Sequence, residues 1–338
     1  MKARSINTLA VVLAAVLLVG GGGASAAAVD SPALPLELVA DVPLGGNTTR
    51  LDYESIDPGR HLLFIAHLGD STVIVFDTEK QSVVSRIGQV SKVHGVLAVP
   101  ELGTVYASAT GTNEVVAIDE ATLKITTRVP AGLYPDGMAY APEVHKLYVS
   151  DEHGDTDAVI DVTSNKRVAT IPLGGDVGNT QYDAASKHVF ANVQTRSQLV
   201  EIDPATDQVI DRIGLPGAQG NHGLLIVPEK RLAFIACEDN DTLLVLDLST
   251  KKIAASFKVG KDPDVLAFDH GRNLLYVASE SGIVSLFNVG SLNVTKHGEG
   301  LLGSHAHVVA VDSDTHYAYF PLMNLDGRPA LRITRPRQ

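Results

Sequence analysis

The chain has no tryptophan and a single cysteine in 338 residues. Without indoles it lacks the stacked-Trp platforms on which many carbohydrate binders hold sugar rings. One cysteine excludes any disulfide within the chain, so stability must come from apolar packing. There is no Gly-rich phosphate loop, CxxCH haem site, G-x-S-x-G elbow or calcium loop, which leaves those nucleotide, haem, hydrolase and calcium readings without support. Beyond the first residues no apolar run is long enough to span a bilayer, so no membrane insertion is expected. Basic residues are in deficit, 27 against 39 acidic, for a net charge of -12. An acidic surface repels phosphate backbones, and no nucleic-acid partner is expected.

The first residues read as a targeting segment. Lys2 and Arg4 precede an apolar run from Leu9 to Val19, broken by Gly20 to Gly23. Ala24-Ser-Ala26 or Ala26-Ala-Ala28 offers a small-residue cleavage site. Residues 1–28 are therefore expected to be a secretory signal peptide. No paired-Arg start or cleavage-site Cys suggests lipid anchoring. Removing two basic and no acidic residues takes the charge from -12 to -14. A periplasmic or secreted protein is expected.

What the chain does have is a repeat. An aromatic follows an anchor residue at an offset of seven, in the pairs Asp57/Phe64, Val99/Tyr106, Ala141/Tyr148, Asp183/Phe190, Val227/Phe234, Asp269/Tyr276 and Asp312/Tyr319. The anchors are 42, 42, 42, 44, 42 and 43 residues apart. Short segments rich in Val, Ile, Ala and Tyr fill each period, split by Gly, Pro, Asn and Asp. Such a period suits one four-stranded propeller blade. The third strand of each repeat ends in an acid, Asp77, Asp119, Asp161, Asp203 and Asp247, with Asn288 in the sixth. These are expected to cap the turn that follows. The seventh repeat supplies three strands, His307 to Asp312, Tyr317 to Leu322 and Ala330 to Thr334. Its fourth is expected from Leu36 to Gly45, which matches the pattern of Arg167 to Gly174. The fold class is all-β, a seven-bladed β-propeller over 36–334 as a single domain, its last blade closed by the N-terminal strand.

Tyr148-Val-Ser-Asp151 and Tyr276-Val-Ala-Ser279 resemble the tetrapeptide of the YVTN-repeat β-propellers. The tract from Ala158 to Gly174 is similar to their third and fourth strands. The resemblance spans about residues 36–334 and implies a seven-bladed, usually exported propeller. It says little about chemistry, because this fold carries many functions.

The chemistry-bearing residues recur five positions before each anchor. Asp52, His94, Asp136, Gly178, His222, Asp264 and His307 stand there, with Asn179 beside Gly178. The chain starts its innermost strand at this position, beside the central channel, so seven copies form a ring at the channel mouth. One reading is a solvated lining, with the Asp carboxylates bonded to nearby backbone. The other is a metal site. His94, His222 and His307, from blades two, five and seven, surround the axis and can present neutral imidazoles to a divalent transition metal, Zn, Cu or Fe. Asp52, Asp136 and Asp264 would then orient imidazoles or act as general bases; without a metal the same ring, Asn179 included, can bind a small cationic or polar ligand. A second set, three residues after each aromatic, is His67, Ala109, Asp151, Val193, Cys237, Ser279 and Leu322, with Asp70, Glu152, His153, Asp155, Glu238, Asp239 and Asp241 nearby. These can wall a funnel above the ring. Cys237 reads as a small buried residue and His305 as a further ligand or lining. His61, His145, His188, His270 and His316 fall on the opposite face. The function expected is binding of a metal ion or small polar ligand at the channel mouth. The alternatives are a metal-dependent enzyme, hydrolytic or oxidative, and a passive scaffold with an envelope protein partner.

Overall fold

The computed structural model describes residues 33–291 and 293–337. The signal-peptide expectation for residues 1–28 lies outside them. Seven four-stranded antiparallel sheets form a ring of blades. Blade three shows the pattern: Pro135–Ala141 innermost, then Lys146–Asp151, Thr156–Asp161 and Lys166–Pro172 at the rim. The middle strands are almost wholly buried, because both faces pack on neighbouring blades. The outer strands alternate between exposed and half-buried residues, as a rim strand must.

All seven repeat aromatics are buried. Each sits in an apolar cluster shared between two blades; Phe64 packs with Val96 and Val105 of the next blade, and Phe190 with Leu224 and Ala233. The expected Asp caps are present. The Asp77 carboxylate accepts the amides of Glu79 and Lys80, Asp119 that of Thr122, Asp161 that of Ser164, and Asp247 that of Ser249. Asn288 differs and meets the His297 ring instead.

Closure follows the sequence reading. Leu36–Pro43 pairs antiparallel with Arg328–Pro336, from Leu36 opposite Pro336 to Pro43 opposite Ala330. Arg332 adds a two-pronged ion pair to Asp41, both contacts at 2.8 Å. The innermost strand of this blade is shorter than expected, Ala310–Asp312. His307 stands before it and not within it. Among the described residues no helix is long and apolar enough to cross a membrane.

Candidate functional site at the channel mouth

The innermost strands do more than line the channel. In blades two to six their register with the second strand slips at the ring position, between Val93 and Val96, Pro135 and Met138, Val177 and Thr180, Asn221 and Leu224, and Pro263 and Leu266. Residues in such bulges leave the ladder, and their side chains can be re-aimed. His94, Asp136, Asn179, His222 and Asp264 all lie in these slipped segments. Blade crowding sets the following residue. A Cβ on Gly95 would stand 2.3 Å from the Asp136 carbonyl oxygen, and one on Gly223 2.0 Å from that of Asp264. Only glycine permits this approach.

Blade one places Tyr53 where blades two, three and five have Gly95, Gly137 and Gly223. Its phenol donates to Asn179 Oδ1 at 2.8 Å and lies 3.0 Å from His222 Nε2. Tyr53 thus reaches across from blade one to blades four and five. A cavity of about 690 Å³ bounded by Tyr53 holds the ring residues Asp52, His94, Asp136, His222 and Asp264. A second, of about 300 Å³, shares Tyr53 and is lined by Glu54, Gly95, Asn179 and Val309.

The structure does not gather the three predicted imidazoles. His94 Nδ1 lies 3.0 Å from the Lys92 carbonyl oxygen and Nε2 2.9 Å from the Tyr134 hydroxyl. Both nitrogens are engaged locally. Among the described residues two groups bring ligating atoms within 4.8 Å of one another: His222, Glu238 and Asp264, and Asp264, Glu280 and His307. Both mix imidazole with carboxylate, and Asp264 belongs to both. Of the other predicted residues, Asp52 accepts a hydrogen bond from Arg50 Nε at 3.1 Å, Asp136 Oδ2 lies 3.8 Å from His222, and Asn179 Oδ1 accepts one from the Tyr53 hydroxyl.

Buried atoms in these groups and at Asp136 beside them lack hydrogen-bond partners. Asp136 Oδ1, Asp264 Oδ1 and His307 Nε2 make no hydrogen bond, although their residues are 3%, 5% and 3% exposed. Such groups are costly unless something binds them. The charge balance agrees. Asp52, Asp136, Glu152, Glu238, Asp264 and Glu280 face the same cavity, against Arg50 and Lys92. Burial pushes the Asp136 and Asp264 carboxyls up, and Glu238 up to about 7. Burial would lower His222, but Glu238, Asp264, Asp136 and Glu152 outweigh it and raise the imidazole to about 9. At neutral pH His222 therefore carries a proton that a metal must displace. His94 is half-buried, and desolvation outweighs its nearby acids and shifts it down. At Glu280 burial is outweighed by His307 and Arg50, which hold the carboxyl low.

Sequence reasoning missed Arg50, Glu280 and Tyr53. Their signal lay one or two steps from the positions inspected. Four residues after each aromatic stand Leu68, Thr110, Glu152, Gln194, Glu238, Glu280 and Met323, a run of acids and amide on blades three to six. Two before the ring stand Arg50, Lys92 and Tyr134 in the first three blades. Cys237 is fully buried in the core between blades four and five, and burial pushes its thiol up to about 12. The opposite-face histidines have local partners: Tyr140 for His145, Glu201 for His188, Glu229 for His270 and Asp269 for His316.

No family model matches the chain. It is 22% identical over 182 residues to the "Uncharacterized protein YncE" of Salmonella typhimurium, and equally to that of Salmonella typhi. Each match covers 52% of this chain and 50% of the relative, so it spans about half the length of either protein. Among solved structures the chain is similar to Kuenenia stuttgartiensis hydrazine synthase, with a TM-score of 0.73 and 14% identity over 94% of this chain and 99% of the other. At that identity the likeness concerns the fold alone.

Proposed function

We propose that the chain is an exported β-propeller of the YVTN-repeat type that binds a divalent transition metal at the mouth of its channel, through His222, Glu238 and Asp264. The observation that carries this reading is a mixed imidazole–carboxylate group in which buried Asp264 keeps an unpartnered oxygen. One nitrogen and two oxygen donors suit Zn or Fe. Gln194, 3.1 Å from His222 Nδ1, would hold the ring, and a metal at Nε2, the nitrogen that faces Asp264, would displace the Tyr53 hydroxyl from it. Three protein ligands leave an open coordination position, and the 690 Å³ chamber exceeds the needs of a bare ion. That excess favours a second reading, in which the ion serves a small polar substrate. Calorimetric titration with Zn²⁺ tests the first reading. His222→Ala, Glu238→Gln and Asp264→Asn should each weaken binding at least tenfold, with His145→Ala on the opposite face as the control. If the triple variant binds as wild type does, the metal reading of this mouth fails and the scaffold reading replaces it.

A further inference from the structure

The second group, Asp264, Glu280 and His307, already faces a cation supplied by the chain itself. Arg50 Nη1 donates to Glu280 Oε1 at 2.5 Å, its Nη2 lies 4.0 Å from Asp264 Oδ2, and its Nε donates to Asp52 at 3.1 Å. Arg50 is on the segment between the closing strand, which ends at Pro43, and the first strand of blade one, which begins at Glu54. It is not part of either sheet. Its side chain lines the mouth cavity and is 43% exposed, so the guanidinium is not locked inside. His307 Nε2 and Asp264 Oδ1 are buried and make no hydrogen bond, while His307 Nδ1 is 2.9 Å from the His305 carbonyl oxygen and 3.6 Å from Glu280 Oε2. A nitrogen whose ring is oriented by a backbone carbonyl and whose far side is bare is disposed as a ligand.

We propose that Asp264, Glu280 and His307 form a second divalent-cation position, which Arg50 keeps closed by acting as a tethered substitute cation. The position rests on the proposed metal reading, because Asp264 is shared with the first group. A guanidinium held by Glu280 and Asp52 neutralises the acids that a metal would need, and like charge keeps the metal out. The wild-type mouth then holds one ion. Moving Arg50 aside opens a second position next to the first.

Zn²⁺ stoichiometry by equilibrium dialysis tests this. Wild type should bind one equivalent at the mouth, and Arg50→Met two. Lys92→Met removes the same charge from the same chamber, but Lys92 forms no ion pair with this group among the described residues. It should still bind one, which separates occupancy from general charge. In the Arg50→Met background, His307→Ala should lose the second equivalent and keep the first, and His222→Ala the reverse. Arg50→Gln repeats the measurement should Arg50→Met fold poorly, with thermal melting as the check on folding. A single equivalent in folded Arg50→Met and Arg50→Gln, or two in Lys92→Met, overturns the proposal. Failure of the underlying metal reading looks different, since wild type then binds no Zn²⁺ at the mouth.

Discussion

His222 shows how a neighbourhood overrides a residue type. Four carboxylates hold its proton to about 9, against an ordinary 6.5. A metal ligating this imidazole competes with that proton. Zn²⁺ affinity should therefore fall as pH drops below about 9, by roughly tenfold per unit for one displaced proton. Titrations between pH 7 and 9 check this; a flat affinity there, with a fall only below 6.5, would show that His222 is not a ligand. Asp157 makes the opposite case in the core. It is fully buried in blade three with Thr180 as its hydrogen-bond donor, and burial pushes it up from 3.8 to about 7. Between those values the folded chain keeps a proton that the unfolded chain has lost, so this residue lowers stability as pH rises from about 4 to about 7. Asp157→Asn should raise stability at pH 8 by about 1–3 kcal/mol. Denaturant melts should show that gain shrinking toward pH 4.

At the scale of the strand, the bulge and the glycine beside it place the mouth residues. Gly223→Ala would press a methyl against the Asp264 carbonyl, and a methyl that overpacks costs about 1–3 kcal/mol. Because that carbonyl belongs to a mouth residue, metal affinity should fall together with stability. Gly214→Ala is the control, since a Cβ there meets nothing within 4 Å. Thermal melts and Zn²⁺ titration of the pair check both effects; equal behaviour would show that the inner strands can yield. The bulge also explains why the three-histidine expectation gave way. Equal repeat position fixes equal height, but the slipped segment leaves side-chain direction to local partners, and Tyr134 engages His94.

For the whole molecule, closure is the main lever. Blade seven joins its two chain ends through one strand pair and the Asp41–Arg332 ion pair. Deleting Leu36 to Gly45 exposes Arg328–Pro336 as an open edge and removes the buried Leu36 and Leu44. The expected result is a large drop in melting temperature, or failure to fold, read by circular dichroism. An unchanged melt would refute the closure. Asp41→Ala alone should cost no more than about 1 kcal/mol, because its ion pair is partly exposed. The deletion also removes the anchor of the segment that carries Arg50, so ring closure and the mouth share one stretch of chain.

By itself the sequence determined the blade count, the aromatic core, the turn caps and the closing strand. Each is a local pattern repeated at a near-constant period, and repetition makes a weak signal legible. It also marked the ring position, where Asp52, His94, Asp136, His222 and Asp264 line one cavity and His307 does not. Which side chains meet at the mouth was decided only in the tertiary structure. Asp264 touches two groups, Tyr53 crosses to blades four and five, and Arg50 lies over Glu280 some 230 residues away in sequence. These contacts join non-repeating residues across the axis, so no period encodes them, and their pKa values follow from charges that only the closed ring brings together.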